Sequence, residues 1–260
     1  MLVVGRFGMR DIMQKERVRL YLSCMEVLVP PVTLSKYLSS WRVTGQLYYM
    51  INWGAVRDAL GLKDIHLLGH SWGTTLAAAY CLGGAVGIKS LVLSSPCLSA
   101  PLWAKDQERN LKKLPLEHQN TIIRCEMEGN TETKEYAKAV SEFNRRFVCR
   151  MTPYPDWLKA GAKYRNKEVY HQMWGPSEFS VKGNLRTFDC TNRLCELSMP
   201  VLYTCGRHDE ATPETTIYYS SLTPGSQLHI FEKSAHMPYV EEQEEYMRVI
   251  GDFLSSVDHR

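Results

Sequence analysis

The chain has 260 residues, of which 44% are hydrophobic and 23% are charged, and it carries a net charge of +3 at pH 7. This length suits one large domain, or a core with an inserted segment, and the weak, scattered positive charge gives no reason to expect a nucleic-acid partner. A membrane-spanning helix needs an apolar run of about 18 residues, and the sequence contains none.

The N-terminal segment has neither a long apolar stretch nor a cleavage site of small residues, so the sequence does not predict secretion. From residue 53 onward, apolar strands and helices alternate. Residues 55–60 resemble the end of a helix with Gly61 as its cap. Residues 65–68 and 89–95 are predicted strands, and residues 74–82 between them are a predicted buried helix. This alternation implies a parallel sheet with crossover helices.

The motif Gly69-His70-Ser71-Trp72-Gly73 lies between the first of these strands and the helix. In that context, a G-x-S-x-G sequence indicates a nucleophile elbow, a tight turn that holds a reactive serine at the head of a helix. The helix dipole and the free N–H groups there favour developing negative charge. The alternative is an ordinary glycine-rich turn between a strand and a helix.

Between residues 101 and 196, the sequence changes to charged, amphipathic helical segments, such as residues 104–114 and 132–150. Pro153 and Pro155 interrupt this region. We interpret it as a helical cap inserted between two strands of the sheet.

Strand signals resume at residues 200–205 and 227–231, and a polar residue suited to catalysis follows each of them. Asp209 follows the first strand and His236 follows the second. Open α/β sheets place their sites at the carboxyl ends of strands. We therefore expect Ser71, Asp209 and His236 to meet as a nucleophile, an orienting acid and a general base. Taken alone, Asp209 would by default be interpreted as a solvated turn carboxylate, and His236 as a surface loop histidine.

The eight cysteines include no C-x-x-C pair, and the eight histidines are not spaced as ligand pairs. We therefore expect reduced thiols in a cytoplasmic protein, in preference to a disulfide framework, and no bound metal.

With these residues placed, the chain resembles the proline iminopeptidases, which are serine peptidases of the α/β-hydrolase fold. The resemblance runs from residue 53 to the C-terminus. Beyond the G-x-S-x-G motif, it rests on M-W-G-P-S-E-F at residues 173–179, G-R-H-D-E-A-T-P at 206–213 and S-A-H at 234–236. The tryptophan after the serine and the G-P-S-E-F sequence point to this family rather than to esterases or dehalogenases.

The resemblance implies that the protein releases N-terminal proline from small peptides and needs no cofactor. It implies that Glu178 in the cap and Glu210 beside the aspartate bind the free amino terminus of the substrate. The alternatives are a surface salt bridge for Glu178 and a solvated side chain for Glu210. Desolvated carboxylates suit an exopeptidase because they bind a charged terminus and exclude mid-chain peptides. The resemblance also implies that the backbone N–H of Trp72 donates to the oxyanion.

Residues 1–52 differ from the family pattern, since they contain neither a His-Gly-Gly-Pro-Gly oxyanion loop nor an Asp-Gln-x-Gly-x-Gly-x-Ser turn. We offer the hypothesis that this segment is the family's N-terminus translated in a displaced reading frame. From the third base of the Cys24 codon, the codons through Pro31 permit His-Gly-Gly-Pro-Gly. The same offset over residues 40–52 permits a strand that ends in Asp-Gln. The chain would then lack one oxyanion donor, a loss that costs about a hundred- to a thousand-fold in rate.

These observations predict an α/β-hydrolase core of residues 53–100 and 197–260 with a mostly parallel sheet, and an inserted helical cap of residues 101–196. Residues 1–52 are predicted to be an aberrant segment, with N-terminal strands missing or altered. The predicted function is a cytoplasmic serine aminopeptidase whose partner is a small peptide with N-terminal proline, not nucleic acid or a membrane. A catalytically impaired remnant and a broader aminopeptidase or amidase of the same fold are the alternatives. The sequence leaves the oligomeric state open.

Overall fold

The computed structural model describes residues 2–4, 20–22, 57–58, 61–156, 158 and 167–259. Its strands within these residues are β1 (Leu2–Val4), β2 (Leu20–Leu22), β3 (Ile65–His70), β4 (Ile88–Ser94), β5 (Val201–Gly206) and β6 (Gln227–Phe231). They form one sheet in the order β2-β1-β3-β4-β5-β6, and each described pair is parallel. The predicted parallel α/β sheet is confirmed.

Helices connect the strands in the manner that parallel pairing requires. The helices of the core are α1 (Trp72–Leu82) after β3, α6 (Pro213–Ser221) after β5, and α7 (Pro238–Glu241) and α8 (Gln243–Asp258) after β6. Between β4 and β5 the chain forms α2 (Ala100–Leu111), α3 (Leu116–Glu128), α4 (Lys134–Phe147), α5 (Lys167–Met173) and a 3₁₀ helix (Thr191–Glu196). Among the described residues, no helix has both the length and the apolar character needed to cross a membrane.

The two faces of the sheet carry alternate residues of each strand, because side chains point to opposite sides in turn. One face is packed against α8 and the helices between β4 and β5, through a cluster that includes Leu68, Val92, Leu202 and Phe231. The other face is packed against α1 and α6, through a cluster that includes Leu67, Leu91, Leu93 and Tyr203. The resulting three-layer core holds the carboxyl ends of the strands at one fixed edge.

The helices between β4 and β5 share a core with the sheet. Ile122 of α3 and Phe143 of α4 belong to the same buried cluster as Leu68 and Leu202 of the strands. The division at residues 101–196 therefore stays a prediction about domains.

The displaced-frame hypothesis depends on residues 24–31 and 40–52, which lie outside the described residues. Of residues 1–52, the structure describes the short strands β1 and β2. Strand β1 pairs with β3 and β2 pairs with β1, so they lie on one edge of the described sheet.

Candidate active site

The turn at Ser71 is a strained junction between β3 and α1. Ser71 has φ 57° and ψ −130°, a positive φ that is rare for residues other than glycine. Its backbone N–H donates to the carbonyl of Ser94 at 3.0 Å, and its carbonyl accepts from the Thr74 N–H at 2.9 Å. At Gly69, an added Cβ would lie 2.5 Å from the carbonyl oxygen of Gly73, so the turn closes only with glycine there. These contacts hold the serine in the conformation predicted for a nucleophile elbow.

A chain of two hydrogen bonds joins Ser71, His236 and Asp209, which we call the Ser71 site. Ser71 Oγ lies 2.8 Å from His236 Nε2, and His236 Nδ1 lies 2.7 Å from Asp209 Oδ1. The aspartate oxygen accepts the Nδ1 proton, which leaves Nε2 to accept the serine hydroxyl. All three side chains are buried, and the imidazole of His236 is fully enclosed. The structure therefore brings together the three residues for which the sequence predicted catalytic roles.

The loop after β5 fixes the carboxylate of Asp209. Its Oδ1 accepts a second hydrogen bond, from the Ala211 N–H at 2.8 Å, and Oδ2 accepts from the Gly206 N–H at 3.3 Å. Gly206 also allows the loops after β5 and β6 to approach closely, because a Cβ there would lie 2.1 Å from the carbonyl oxygen of Ala235. These contacts hold the carboxylate so that Oδ1 faces the imidazole.

The loop after β6 is held through the backbone of His236. Its carbonyl accepts hydrogen bonds from His70 Nε2 at 2.7 Å and from Ser95 Oγ at 3.2 Å. Its N–H donates to the Phe147 carbonyl at 3.2 Å, which also accepts the Glu210 N–H at 3.0 Å. Phe147 ends α4, so one carbonyl links the end of that helix to both loops of the site. Sequence reasoning missed these supports, because no local pattern connects residues so far apart in the chain.

The N-terminus of α1 carries Trp72, the residue whose backbone N–H is predicted to donate to the oxyanion. Trp72 is the first residue of the helix, so its backbone N–H lies at the positive end of the helix dipole, directly after Ser71. Two threonines brace this end: the Cys97 N–H donates to Thr74 Oγ1 at 2.8 Å, and Thr75 Oγ1 donates to the Cys97 carbonyl at 2.6 Å. In the displaced-frame hypothesis, the loop in which the family carries its second donor corresponds to residues 24–31, which lie outside the described residues.

Glu210 lies beside the imidazole on the side of the serine. Its Oε1 is 3.6 Å from His236 Nε2, and the residue is 1% exposed. Gln107 and Asn110 of α2 donate to its backbone carbonyl at 3.4 and 3.3 Å. The predicted ammonium-binding residue therefore contacts the predicted base directly, which the sequence did not reveal.

Glu178 lies in a tight loop that the G-P-S-E-F sequence forms. Gly175 has φ 141°, and a Cβ there would lie 2.1 Å from the carbonyl oxygen of Ser180. Ser177 Oγ donates to the Glu126 carboxylate of α3, which anchors the loop on the helices between β4 and β5. The loop therefore presents half-buried Glu178 from a fixed support.

The thiol of Cys97 interacts electrostatically with both Glu178 and Glu210. Burial is the main cause that raises the pKa of its thiol, and the negative charges of Glu178 and Glu210 raise it further. Both carboxylates therefore act on one side chain that is 3% exposed.

An aromatic wall lies on another side of the imidazole. The Trp103 ring is 5.9 Å from the His236 ring and 6.0 Å from the Trp174 ring, both in edge-to-face geometry. These tryptophans share a buried cluster with Cys97, Ala100, Met173, Leu185 and Ala211. The arrangement places an apolar surface and a carboxylate around the same nucleophile. In the described part of the chain, no three His, Cys, Asp or Glu side chains are grouped as metal ligands.

The family model of the α/β-hydrolase fold matches residues 39–243. The match agrees with the parallel sheet, the elbow and the order of the Ser71 site along the chain. The protein is thus an α/β-hydrolase.

Relatives define the family more narrowly. The chain is 63% identical over 203 residues to the proline iminopeptidase of Heyndrickxia coagulans, an alignment that covers 78% of this chain and 70% of the relative. The crystal structure of a proline iminopeptidase from Mycobacterium smegmatis matches with a TM-score of 0.83 and 27% identity, over 99% of this chain and 90% of that one. The crystal structure of VinJ matches with a TM-score of 0.79 and 32% identity, over 82% and 73% of the two chains. The chain belongs to the proline iminopeptidase family, as the sequence motifs indicated.

Proposed function

We propose that this protein is a serine aminopeptidase that releases N-terminal proline from small peptides. The observation that carries the proposal is the hydrogen-bonded chain of the Ser71 site, with the buried carboxylate of Glu210 3.6 Å from the imidazole of His236. Such a chain performs acyl transfer, and a buried carboxylate beside it suits a substrate with a positively charged terminus. The choice of proline rests on the relatives, which carry the name proline iminopeptidase.

In the proposed reaction, Ser71 Oγ attacks the carbonyl carbon of the first residue, and its proton passes to His236 Nε2. The backbone N–H of Trp72 donates to the oxyanion of the tetrahedral intermediate. The peptide C–N bond then breaks, and His236 gives its proton to the leaving amine. Water, deprotonated by His236, hydrolyses the prolyl ester and releases proline. Asp209 holds the imidazole in the required tautomer and stabilises its cation throughout.

In the same proposal, Glu178 and Glu210 bind the secondary ammonium group of the terminal proline. Trp103 and Trp174 provide an apolar wall for the pyrrolidine ring. A proline inside a peptide has no ammonium group, so its binding would lack the charge-assisted hydrogen bonds to Glu178 and Glu210, at a cost in binding free energy. This cost explains the selection of a chain terminus.

The test is a panel of arylamides of proline, alanine and leucine, with N-acetylprolyl arylamide as the matched uncharged control. We expect the highest kcat/KM for the prolyl compound and no measurable turnover of the acetylated one. Equal kcat/KM for the three free amino acids would instead identify the broader aminopeptidase. Turnover of the acetylated compound would refute the exopeptidase proposal.

A fluorophosphonate probe tests whether this chain is an active enzyme or a damaged remnant. We expect soluble protein to be labelled at Ser71, because labelling requires the folded site. A soluble, folded sample that neither labels nor hydrolyses prolyl arylamide would identify the remnant.

A cytoplasmic location also belongs to the proposal. It rests on the cysteines: the seven in the described residues are free thiols, and all but Cys195 are buried. Burial raises the pKa of the Cys149 thiol to about 11 and that of the Cys190 thiol to about 12, so both stay protonated at neutral pH. Cell fractionation followed by detection of the chain checks the location.

A further inference from the structure

We propose that Glu210 controls the protonation of His236, so that an ammonium group bound at Glu210 switches the general base on. This inference rests on the proposed function and adds a second role to the glutamate, beyond holding the substrate. It assigns to Glu210 a contribution to the chemical step itself.

The geometry places His236 between two carboxylates. Asp209 Oδ1 lies 2.7 Å from Nδ1, and Glu210 Oε1 lies 3.6 Å from Nε2, which is the nitrogen that must accept the serine proton. Side chains of both glutamate and histidine are at most 1% exposed, so water screens their interaction little. Negative charges within about 4–6 Å favour the charged imidazole and raise its pKa, whereas burial lowers it. Without a bound cation, the two carboxylates favour the protonated form of His236, and a protonated Nε2 accepts no proton.

An ammonium group at Glu210 reverses this effect. Its positive charge offsets that of the carboxylate, and the pKa of His236 falls while Asp209 still fixes the Nδ1 proton. The neutral Nε2 then accepts the Ser71 proton at 2.8 Å. The same lower pKa makes the imidazolium a stronger acid, which favours protonation of the leaving amine.

Other charged or titratable groups around the imidazole come from several elements. His70 of β3 donates from Nε2 to the His236 carbonyl, and the two ring centroids are 4.9 Å apart. Glu241 of α7 is electrostatically coupled to Asp209, and Glu178 acts with Glu210 on Cys97. Trp103 of α2 is uncharged. Among these groups, Glu210 is the acid that both contacts Nε2 and lies where a substrate amine is proposed to bind.

The mechanism explains selection at the chemical step as well as at binding. A mid-chain peptide that entered the site would bring no cation, so the carboxylates would still favour the protonated imidazole and Ser71 would react more slowly. We therefore expect an uncharged acyl donor to react slowly even when it binds.

The test separates the cation from the reaction. Methanesulfonyl fluoride is small and uncharged, and it sulfonylates an active serine without needing an ammonium group. Its rate at Ser71 is measured against pH, alone, with saturating pyrrolidine, which is protonated over the pH range used, and with tetrahydrofuran, an uncharged ring of similar size.

In the wild-type protein, we expect pyrrolidinium to lower the pH midpoint of sulfonylation by about one unit or more, whereas tetrahydrofuran leaves it unchanged. One pH unit below the original midpoint, a shift of one unit accelerates labelling about fivefold. The Nδ1 proton resonance of His236, followed by NMR, should report the same shift without any reaction.

The Glu210→Gln variant should have a lowered midpoint without any ligand and no further response to pyrrolidinium. Glu214→Gln is the matched control, because it removes an exposed acid four residues away and should keep the wild-type midpoint and response. If Glu210→Gln does not fold, the wild-type comparison of pyrrolidinium with tetrahydrofuran still decides the question.

An unchanged midpoint with pyrrolidinium, or equal slowing at every pH, would overturn the proposal. Hydrolysis of prolyl arylamide by the same samples keeps the two ideas apart. If hydrolysis is retained but the midpoint does not shift, only the proposed role of Glu210 in controlling His236 is refuted. If the midpoint shifts but no hydrolysis occurs, the proposed aminopeptidase function is refuted.

Discussion

Within the described residues, serine, histidine and aspartate form two hydrogen-bonded arrangements, one near each end of β3. The Ser71 site lies at the carboxyl end. Near the amino end, His66 Nδ1 lies 2.8 Å from Ser90 Oγ, and His66 Nε2 lies 3.2 Å from Asp258 Oδ1. In both, hydrogen bonds connect a serine to a histidine and that histidine to an aspartate. The two ring nitrogens exchange roles: Nε2 faces the serine in the Ser71 site, whereas Nδ1 faces it in the second arrangement. We call the second arrangement the His66 cluster.

The difference between them lies in the backbone and the surroundings. Ser90 lies within strand β4, next to a shift in register against β3, and it is fully buried. Its φ is not positive, and no helix of the described structure begins beside it. Asp258 is half exposed and forms an ion pair with Lys89. Burial, followed by the charge of Lys89, lowers the pKa of His66 to about 4. We therefore attribute the proposed reactivity of Ser71 to the elbow and the dipole of α1, and not merely to a hydrogen-bonded series of serine, histidine and aspartate.

Replacing each serine tests most directly whether the two arrangements differ in function. We expect Ser71→Ala to lower kcat for prolyl arylamide by about 10⁵- to 10⁶-fold, because the acyl-enzyme cannot form. Ser90→Ala should leave kcat unchanged and cost about 1–3 kcal/mol of unfolding free energy through the lost buried hydrogen bond. Steady-state kinetics and urea unfolding measure the two effects. Substantial turnover by Ser71→Ala, or loss of kcat in a folded Ser90→Ala protein, would contradict our interpretation.

Replacing each of the two aspartates should also change kcat by very different amounts. Asp209→Asn preserves shape but removes the charge that orients the imidazole, and we expect kcat to fall by about 10⁴-fold. Asp258→Asn removes a charge from the other histidine and should leave kcat within about twofold, since surface ion pairs contribute little. Kinetics with prolyl arylamide, together with thermal unfolding of each variant, tests the pair. Equal losses in folded variants would mean that the His66 cluster also supports catalysis.

The His66 cluster should affect the stability of the protein at low pH rather than its kcat. The pKa of His66 is about 4 in the folded protein, below its ordinary value of 6.5, so the unfolded chain binds the proton first as the pH falls. The contribution of neutral His66 to the free energy of unfolding is present above pH 6.5. It is lost as the pH falls from 6.5 to 4, by on the order of 3 kcal/mol in total. The Asp258 carboxylate favours the charged ring, but it is half exposed and shared with Lys89.

Urea unfolding of the wild-type protein and of His66→Gln at pH 7.5, 5.5 and 4.5 measures this difference. The gap in unfolding free energy between them should narrow as the pH falls. A constant gap would show that His66 titrates at its ordinary pKa.

The sequence predicted the Ser71 site because each of its residues follows a strand, and local apolar runs mark where strands end. Family motifs pointed to Glu178 and Glu210, but they gave no sign that Glu210 contacts His236. The contacts of His236 with His70 and Phe147 join segments that are distant in the chain, so packing alone determines them. The His66 cluster had no sequence signal either, since its aspartate lies in the last helix, far from β3.

The smallest effect that we predict concerns a support of the Ser71 site. Glu241 Oε1 accepts from the Arg150 N–H at 2.7 Å and Oε2 accepts from the Ala235 N–H at 2.9 Å, so one carboxylate ties the segment after α4 to the loop that carries His236. Burial raises the pKa of Glu241, but the two backbone donors favour its charged form. In Glu241→Gln, an amide NH₂ faces one of these donors, and we expect a loss of about 1–2 kcal/mol in unfolding free energy.

The exposed Glu244→Gln is the matched control, because it removes the same charge three residues further along without a backbone contact of this kind in the described structure. If Glu241 positions the loop, its variant should also lower kcat for prolyl arylamide severalfold with little change in KM, because His236 would be less well held while the ammonium-binding carboxylates remain. Lowered stability with an unchanged kcat would show that the Ser71 site depends on the elbow and on the carbonyl of Phe147, and not on this carboxylate. In that case, the difference in reactivity between the Ser71 site and the His66 cluster would come from the backbone alone.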